Sequence, residues 1–586
     1  QRQMCIRDRH YSLTLQKQQD GVYTCRSSEQ LPLTITRQVV DKDGKQRINV
    51  VIKALDTVYF NYGEQIKTGY RHSDCQFYMP GFWYRQNLRS PEKAPSFHTS
   101  DSWLVREDRL STPLTATFNS SKGKSMSVIR IDKFDKEALA THKEGEVIVS
   151  GETSIGYTGF ENIGGMTVLS YGFPYKEAPK TYIRKLTLAP SVEAFQLLRK
   201  GDSITLTWEL SEIDAADFSE CVQRTWEYCY DTNHPQPVNT PYTVDRMKEV
   251  LSNFFVESYV NTTSAHYYSG VELKTATCDN TDVAEVGFVG RTLLNAFNAL
   301  EYGSQQNRPE LVNSANNIFD TYLTNGFSPA GFFNEVVHYN RDFKEPNLSI
   351  RRQSEGVYAI LNYLDYEKQH KRKHPEWENR LKVILDSFLR LQNADGSFPR
   401  KFKDDFSIVD GTGGSTPSAT LPLVMAYKYF KDKRYLESAK CTVDYLENEL
   451  ISKSDYFSST LDANCEDKEA SLYAATATYY LALVTKGTER SHYAELCKKA
   501  AYFALSWYYT WDVPFAEGQM LGDIGLKTRG WGNVSVENNH IDVFVFEFAD
   551  VLHWLSKEYN EPRFSDFAEV ISTSMRQLLP YEGHMC

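Results

Sequence analysis

Residues 415–450 read STPSATLPLVMAYKYFKDKRYLESAKCTVDYLENEL, two stretches of helical periodicity joined by the short turn Lys431-Asp432-Lys433. The first stretch is apolar or small on most faces, as an inner helix of a double-walled array requires. The same unit recurs along the second half of the chain, where periodicity of the helical kind predicts eleven helices. They are expected at 243–260, 283–302, 308–324, 351–368, 375–393, 415–431, 433–450, 467–486, 489–510, 535–557 and 562–579.

The connections between these helices alternate between short and long. Tight turns at 431–433, 486–488 and 559–561 follow every second helix. Long ordered loops in a compact domain are uncommon and usually functional. Because all the long loops fall at the same end of the predicted array, we expect that end to be the active face. The long connections are 325–350, 394–414, 451–466 and 511–534.

Antiparallel helical pairs either stack as an open superhelix or close into a ring. The small and apolar inner stretches and the individual composition of the loops favour closure, so residues 241–586 are predicted to form an (α/α)6 toroid. Such a toroid has twelve helices, and eleven are predicted. We therefore expect the domain to be truncated before its last inner helix; the alternative is a genuine eleven-helix fold.

The first part of the chain has a different pattern. Residues 10–214 contain short alternating, β-rich runs punctuated by Gly and Asn turns, which predict a β-sandwich. Residues 215–240 are predicted to be a helical linker. Residues 1–9 contain no apolar run, and Met-Cys-Ile-Arg-Asp within them matches the translation of a common sequencing-library transposon end. We expect them to be a cloning or assembly scar. The predicted fold class is therefore multidomain β + α.

Composition excludes several classes of protein. The formal net charge is -11 and the pI is about 5.7, which argues against nucleic acid as a partner. No apolar stretch reaches the roughly 20 residues that span a bilayer. The ten cysteines include no CxxC pair, so neither a zinc site nor a redox motif is predicted. We expect no metal and no cofactor. The aromatic content of 13% suits a sugar-binding protein, although a large core also uses aromatic side chains.

One stretch of the predicted sandwich, 72–109, is unusually rich in aromatic residues, arginines and carboxylates. This density indicates an ordered loop packed against another surface, with the toroid mouth as a candidate. Two interpretations are open. The stretch forms an interdomain contact through Arg–carboxylate pairs, or it contributes directly to substrate binding.

The long loops carry carboxylates that are candidates for acid and base catalysis. Cleavage of a glycosidic bond uses one carboxylic acid to protonate the leaving oxygen and a second carboxylate to activate water or attack the anomeric carbon. Each carboxylate has an alternative role as a helix cap or dipole partner, Asp467 and Glu469 above all. His540 is a candidate proton carrier or hydroxyl binder, or a structural residue. The predicted catalytic set is Glu355, Asp410, Asp462, Asp467 and His540.

Cations and aromatic side chains on the same loops are candidates for substrate binding. A guanidinium matches a carboxylate bidentately, so an acidic sugar such as a uronic acid is a reasonable substrate. The alternative is that the cations neutralise the carboxylates of the loops themselves. The predicted binding residues are Arg351, Arg352, Tyr339, Arg400, Lys468, Trp511, Arg529, Trp531 and Asn539.

Several of these stretches resemble a known group of enzymes. RRQSEG at 351–356, LQNADGSF at 391–398, DGTGGSTP at 410–417 and the run from Leu461-Asp462 to Asp467-Lys468-Glu469-Ala470 resemble toroid sequences of bacterial carbohydrate-active enzymes. The preceding β domain is similar to the super-sandwich that accompanies such toroids. Within this group the chain is most similar to glycoside hydrolase family 154 of gut Bacteroidetes. That resemblance implies exo-β-glucuronidase activity and a periplasmic or secreted location.

Three functions are weighed. A glycoside hydrolase would place two of the named carboxylates across the pore. A polysaccharide lyase acting by β-elimination needs a Tyr, His or Lys base beside a group that neutralises the uronate carboxylate, with His338, Tyr339 and His540 as candidates. A non-catalytic glycan-binding toroid would present aromatic side chains at the mouth, with its carboxylates held in salt bridges. The sequence sets neither the linkage nor the oligomeric state.

Overall fold

The structure is a computed structural model that describes residues 12–13, 15–25, 31–137, 147–268, 270–272, 277–279, 283–288, 291–338, 345–459, 462–542 and 545–579. The predicted scar at 1–9 and the chain after 579 lie outside these ranges. Contacts divide the chain into two units. The first comprises Gln1–Gln86, Pro91–His234 and Trp511–Leu526, and the second comprises Asn87–Ser90, Pro235–Thr510 and Lys527–Cys586.

The first unit is built from two large sheets. One has the strand order β1-β2-β3-β4-β17-β11-β10-β7-β8, and the other has the order β12-β16-β15-β9-β13-β14-β6, with β5 paired to β16. The strands are β1 (Gln16–Gln19), β2 (Val22–Cys25), β3 (Leu33–Lys42), β4 (Lys45–Ala54), β5 (Val58–Phe60), β6 (Tyr62–Arg71), β7 (Cys75–Met79), β8 (Trp83–Arg85), β9 (Trp103–Arg106), β10 (Leu114–Asn119), β11 (Lys124–Arg130), β12 (Val147–Ser150), β13 (Tyr157–Ile163), β14 (Met166–Phe173), β15 (Lys176–Arg184), β16 (Thr187–Leu198) and β17 (Ser203–Asp214).

A shared core holds the two sheets together. Ile48, Val50 and Ile52 of β4 are buried at every second position, the period that turns one face of a strand inward. Tyr171 of β14 packs against Trp208 of β17 with ring centroids 4.9 Å apart, which joins the two sheets across the core. The prediction of a β-rich first half followed by a helical second half is confirmed.

The crowded stretch 72–109 contributes core as well as charge. Phe77, Trp83 and Trp103 are fully buried in the core of the first unit. Arg106 pairs with Asp108 at 2.6 Å, and Arg109 pairs with Glu177. The aromatic density of this stretch is thus explained by burial between sheets, and part of its charge by Arg–carboxylate pairs.

Helices dominate the second unit. Of the helices in the described residues, α1 and α11 belong to the first unit and the others to the second. They are α1 (Phe218–Asn233), α2 (Val244–Glu257), α3 (Thr292–Gln306), α4 (Pro309–Asn325), α5 (Ile350–Gln369), α6 (Pro375–Leu391), α7 (Pro417–Phe430), α8 (Lys433–Leu446), α9 (Lys468–Val484), α10 (Gly487–Leu505), α11 (Met520–Asp523), α12 (Phe548–Tyr559) and α13 (Pro562–Met575). A π-helical turn at Glu447–Ile451 continues α8.

The helices form two rows. Each of α3, α5, α7, α9 and α12 packs on the helix that follows it, and these five also pack on one another in chain order. They are the inner row. Residues Lys468–Thr478 of α9 and Pro417–Val424 of α7 are buried without interruption, so these helices are covered on all sides, as the sequence predicted. A side chain of α5 reaches a side chain of α9 although α7 lies between them in the row. The inner row therefore curves around a common axis.

Short strands lie in the segments between the helices. They are β18 (Tyr259–Val260), β19 (His266–Tyr267), β20 (Gly270–Glu272), β21 (Thr277–Asp279), β22 (Val283–Glu285), β23 (Val336–His338), β24 (Leu348–Ser349), β25 (Lys401–Phe402), β26 (Ile408–Asp410), β27 (Gly532–Asn533) and β28 (Ile541–Asp542). Antiparallel pairs join β22 to β23, β27 to β28, and β24 to β25 to β26.

Two predicted helices begin later than expected. The helix predicted from 283 begins at Thr292, because Val283–Glu285 pair with β23 instead. The helix predicted from 535 begins at Phe548, because Ile541–Asp542 pair with β27. In both cases strand pairing overrides helical periodicity, with a partner distant in sequence for Val283–Glu285 and a nearby one for Ile541–Asp542. The fourth long connection is also divided, since Trp511–Leu526 makes its contacts in the first unit.

Candidate functional site

Four buried polar side chains meet at the N-terminal turns of α5 and α9. Arg351 Nε donates to Glu355 Oε1 at 3.1 Å, its Nη1 donates to Glu469, and Tyr473 Oη donates to Glu355 Oε1 at 2.6 Å. All four are nine-tenths or more buried. Each helix contributes two of them, which are four residues apart and so share one face of that helix. We call Arg351, Glu355, Glu469 and Tyr473 the Arg351 cluster.

Glu355 is held as an anion. Burial by itself would raise the pKa of its carboxyl, but the guanidinium groups of Arg291 and Arg351, together with hydrogen bonds from Tyr473 and the Phe288 N–H, lower that pKa to about 2. A carboxylate with this pKa holds no proton to give at neutral pH. The sequence left Glu355 as either the general acid or the base or nucleophile. An ionised Glu355 can act as base or nucleophile but not as the general acid.

A narrow cavity, too small to hold a water molecule in this structure, adjoins Glu355. Its walls are Val286, Arg291, Leu294, Glu355, Tyr358 and Phe546. The segment before α3 comes close to the carboxylate because residue 287 is glycine, and a Cβ there would strike Glu355. Arg291 immediately precedes α3, in the left-handed backbone region with a φ of 38°. Its Nε donates to Phe288 O at 2.8 Å, and its guanidinium lies 3.8 Å from Glu355.

Arg351 and Arg352 both pair with carboxylates of the protein. Arg351 is 1% exposed and, besides Glu355 and Glu469, binds Ser459 O at 2.8 Å. Arg352 lies 3.1 Å from Glu285 and 3.9 Å from Glu335. These contacts match the alternative in which the cations balance neighbouring carboxylates.

Glu335 is a buried carboxyl that the sequence analysis did not select. Ser349 donates to it through its N–H and its hydroxyl, and Gln353 Nε2 donates at 3.1 Å. Burial raises the pKa of Glu335 to about 7 in spite of these bonds and of Arg352. It is therefore half-protonated near neutral pH while Glu355 is fully ionised.

Arg400 and Asp410 form an ion pair at the three-stranded sheet β24-β25-β26. Arg400 Nη1 lies 3.1 Å from Asp410 Oδ2, and Nη2 donates to Ala463 O at 2.6 Å. Asp410 also accepts the N–H of Thr412 at 2.9 Å. Although part-burial would raise the pKa of Asp410, the bonds from Thr412 and the charge of Arg400 lower it. Asp410 is thus an anion that accepts a backbone hydrogen bond within the turn from Asp410 to Thr412.

Lys401 lies beside this pair. Its strand pairs Lys401 with Asp410 on one side and with Ser349 on the other. Within the part of the chain that the structure describes, its ammonium group forms no ion pair. Burial and the charge of Arg400 lower the pKa of Lys401, against smaller opposing effects of Asp410 and Asp462.

Asp467 is the N-cap of α9. Its carboxylate accepts the Ala470 N–H at 2.6 Å and the Ser459 N–H at 2.8 Å, and the residue is fully buried. This is the capping geometry that satisfies the first amides of a helix. The adjacent Lys468 pairs with Asp542 of β28, with Nζ 5.2 Å from the ring centre of Tyr508. Asp467 therefore has the geometry of a helix cap, and Lys468 pairs with a carboxylate of the protein. These contacts match the alternative roles given above for the two residues.

Other predicted site residues lie on more open loops. Asp462 and His540 are exposed, and Asn538 Nδ2 lies 3.5 Å from Asp462 Oδ1. Buried nitrogens of Trp531 (Nε1) and Asn539 (Nδ2) have no hydrogen-bond partner among the described residues.

Three predicted binding residues do not join these groups. Arg529 Nε donates to Gln236 O at 2.7 Å. Trp511 belongs to the first unit, where its indole N–H donates to Leu110 O at 3.0 Å and its ring packs 4.6 Å from that of Phe134. Tyr339 lies outside the described residues.

A loop from Asp455 to Ser459 supports the Arg351 cluster. Ser459 accepts from Arg351 through its carbonyl and donates to Asp467 through its N–H. At the start of the loop, Arg89 binds Asp455 Oδ2 at 2.7 and 2.8 Å, and its guanidinium lies 3.2 Å from the ring centre of Phe457. Arg89, distant in sequence, thus anchors the loop that holds Arg351.

Glu547, just before α12, is a second carboxyl near the cavity. Tyr358 Oη and Tyr480 Oη donate to its two oxygens, the latter at 3.3 Å. Burial and the charge of Asp550 raise the pKa of Glu547 against the tyrosine hydrogen bonds. The neighbouring Phe546 lines the cavity and lies 4.6 Å from the Tyr473 ring.

Sequence reasoning missed Arg291, Glu335, Tyr473 and Glu547 as members of the site. For Tyr473 a signal existed: it follows Glu469 by four residues on one helix, just as Glu355 follows Arg351. The other three depend on contacts with residues far away in sequence.

Across the described ranges, no three His, Cys, Asp or Glu side chains are grouped so as to hold a metal ion. Among the same residues no helix combines the length and apolar character needed to cross a membrane.

No protein-family profile matches the sequence, and no curated protein matches it. Solved structures that partly resemble this one include a polysaccharide lyase, which is 9% identical over 95% of this chain and 82% of its own, with a TM-score of 0.45. A D-mannose isomerase is 12% identical over 57% of this chain and 87% of its own, with a TM-score of 0.42. An unsaturated glucuronyl hydrolase from Bacillus sp. GL1 is 12% identical over 62% and 87%, with a TM-score of 0.36. With TM-scores below 0.5, none of the three assigns a fold or a reaction to this chain.

Proposed function

We propose that this chain is a glycoside hydrolase that cleaves a uronic-acid-containing carbohydrate, with the Arg351 cluster at the centre of its active site. One observation carries the proposal. Glu355, a buried carboxylate held ionised by two guanidinium groups, forms part of the wall of a cavity where inner helices converge. An anion in such a place is suited to attack an anomeric carbon or to take a proton from water.

The architecture supports the same reading. The inner helices curve around a common axis, and the Arg351 cluster lies at their N-terminal turns, where the long connections enter. This arrangement is the one expected of an (α/α)6 toroid whose loops gather at one mouth, as the resemblance to glycoside hydrolase family 154 implies. The positive ends of the helix dipoles also favour anions there.

Lys401 is our candidate for binding the uronate carboxylate. Arg351, Arg352, Arg400 and Lys468 are paired with carboxylates of the protein. Lys401 has no such partner within the described residues and adjoins Asp410 on the central strand of its sheet. A partly buried ammonium without a counter-ion gains most from a substrate anion, since low local dielectric strengthens the new pair.

The test is incubation with 4-nitrophenyl β-D-glucuronide and with uronate-containing oligosaccharides. The wild-type protein is expected to release nitrophenol and new reducing ends without ultraviolet absorbance from a C=C bond. Glu355→Gln should lose turnover while keeping its circular dichroism spectrum. Binding of the oligosaccharides without any release would reject hydrolysis in favour of a non-catalytic glycan-binding protein.

A lyase is the second candidate, and Lys401 is the observation that favours it. A lysine with a lowered pKa is a competent general base for removing a proton beside a carboxylate. If β-elimination is the reaction, products from the uronate oligosaccharides will absorb in the ultraviolet, and Lys401→Met will abolish that absorbance. Release of saturated products alone would reject the lyase.

A further inference from the structure

We propose that Glu547 is the general acid that acts with Glu355 in glycosidic bond cleavage. The inference rests on the proposed hydrolase function and adds to it a catalytic residue that the sequence pattern did not indicate. Glu547 would protonate the leaving-group oxygen, and Glu355 would serve the anomeric carbon.

Glu547 is one of fifteen non-glycine residues with a positive φ in the part of the chain that the structure describes. It precedes α12 in the left-handed region with a φ of 51°. Outside glycine this conformation costs free energy and is concentrated at functional sites. The turn places Phe546 on the cavity wall and directs the Glu547 carboxyl to the hydroxyls of Tyr358 and Tyr480. Three inner helices, α5, α9 and α12, thus fix one carboxyl group.

Tyr358 contacts Glu547 and lines the same cavity as Glu355. Glu355 and Tyr358 are three residues apart on α5, a spacing that puts them on one face of the helix, and both line the cavity. The hydroxyl of Tyr358 binds Glu547. Glu355 and the tyrosine that binds Glu547 therefore border the same cavity.

The surroundings of the two carboxyl groups differ in charge. Arg291 and Arg351 face Glu355. Glu547 faces Tyr358, Tyr480 and the carboxylate of Asp550, and no cation pairs with it within the described part of the chain. Burial without a cation favours the protonated form, and two cations favour the anion. Two carboxyl groups whose surroundings shift their pKa values in opposite directions form a recognised acid and base pair.

The proposed step balances as follows. The O–H bond of Glu547 breaks and a new O–H bond forms on the glycosidic oxygen, while the bond from that oxygen to the anomeric carbon breaks and its electron pair stays on the oxygen. The leaving group, which carries that oxygen, departs as an alcohol. The electrons that the anomeric carbon needs come from the oxygen of water, whose proton passes to Glu355, or from Glu355 itself. The Tyr358 and Tyr480 hydroxyls stabilise the Glu547 anion that remains.

Leaving-group dependence tests the assignment. Nitrophenol is a good leaving group that needs little protonation, whereas the alcohol of an oligosaccharide needs it strongly. Glu547→Gln is expected to reduce kcat on uronate oligosaccharides about 100-fold or more, and kcat on 4-nitrophenyl β-D-glucuronide less than about 10-fold. The basic limb of the wild-type pH–rate profile should disappear in this variant.

Asp550→Asn is the matched variant. Because the charge of Asp550 raises the pKa of Glu547, its removal should move the basic limb to lower pH with kcat on the plateau unchanged. This measurement tests the assignment even if Glu547→Gln fails to fold. Equal losses on both substrates in Glu547→Gln, or a basic limb that does not move in Asp550→Asn, would overturn it. A wild-type protein that hydrolyses neither substrate would instead overturn the proposed function itself.

Discussion

The hydroxyl of Tyr473 donates a hydrogen bond of 2.6 Å to Oε1 of Glu355, from α9 to α5. These helices are separated in the inner row by α7, so the bond forms only because the row curves. The same oxygen accepts from Arg351. The charge state of Glu355 therefore depends on the packing of several helices and not on either helix alone.

Glu355→Gln should destabilise the protein. The substitution leaves the buried guanidinium of Arg351 with one carboxylate instead of two, and breaking a buried ion pair costs roughly 3–5 kcal/mol. The loss is expected at neutral pH in the free energy of unfolding measured with a chemical denaturant. Because the folded pKa of Glu355 is lowered to about 2, the stability it supplies is complete above its ordinary value and lost as pH falls toward 2.

Glu558→Gln is the control for that measurement, since it removes an ion pair with Arg490 that is partly exposed. Pairs of that kind contribute at most about 1 kcal/mol. Equal losses in the two variants would contradict the tight electrostatic coupling of Glu355.

Glu335→Gln should alter the dependence of stability on pH. Burial raises the pKa of Glu335 to about 7, so the folded protein binds its proton more tightly than the unfolded chain. Stability should therefore fall as pH rises from about 4.5 through 7, by a total of order 3 kcal/mol. The variant has no such proton. Its stability relative to wild type should be higher at pH 8 than at pH 5, and the same difference at both values would refute the prediction.

Asp467→Asn and Asp467→Ala separate the capping role of Asp467 from a catalytic one. Asparagine caps a helix nearly as well as aspartate, whereas alanine costs about 1–2 kcal/mol. If Asp467 only caps α9, the asparagine variant will keep most of its stability and its turnover, and the alanine variant will lose stability. An asparagine variant that folds with wild-type stability but has no activity would return Asp467 to the catalytic set.

Arg89→Ala should loosen the loop that supports Arg351. The guanidinium binds Asp455 and lies over Phe457, contacts that together are worth on the order of 1–2 kcal/mol at a partly exposed site. Amide hydrogen exchange of a peptide spanning 455–459 is expected to speed up. Arg89→Lys keeps the charge without the planar guanidinium, so its exchange rate should lie between those of the wild type and of Arg89→Ala. Unchanged exchange in the alanine variant would show that the anchor is not needed.

Lys401 should react with acetic anhydride at lower pH than an exposed lysine does. Acylation requires the neutral amine, and burial and Arg400 lower the pKa of Lys401. The pH midpoint of modification, followed by peptide mass spectrometry, is compared with that of the exposed Lys557. Since Asp410 opposes the shift, Asp410→Asn should lower the midpoint further. A midpoint equal to that of Lys557 would argue against Lys401 as a base.

Much of the architecture was predictable from local patterns. The period of 3.6 residues marked α4 (Pro309–Asn325) and α6 (Pro375–Leu391) to within a residue or two. Alternation marked β4 (Lys45–Ala54). Predictions failed where a short strand paired with a distant one, as at Val283–Glu285. In those places the deciding hydrogen bonds lie outside any local window.

The site was only partly predictable. The motif at 351–356 pointed to Arg351 and Glu355, and the capping alternative for Asp467 could be stated from its position before α9. No local pattern indicated that Arg351 would be enclosed by two carboxylates, or that Glu547 would meet Tyr358 and Tyr480.

The sequence by itself determined most of the helices and the longer strands, because the spacing of apolar side chains along a chain is a local property. Only the tertiary structure decided which carboxyl groups are ionised, since a pKa depends on burial and on charges a few ångströms away. Glu355 and Glu547 are the same residue type before folding. The folded chain surrounds one with arginines and the other with tyrosines, and the chemical difference between them comes from that.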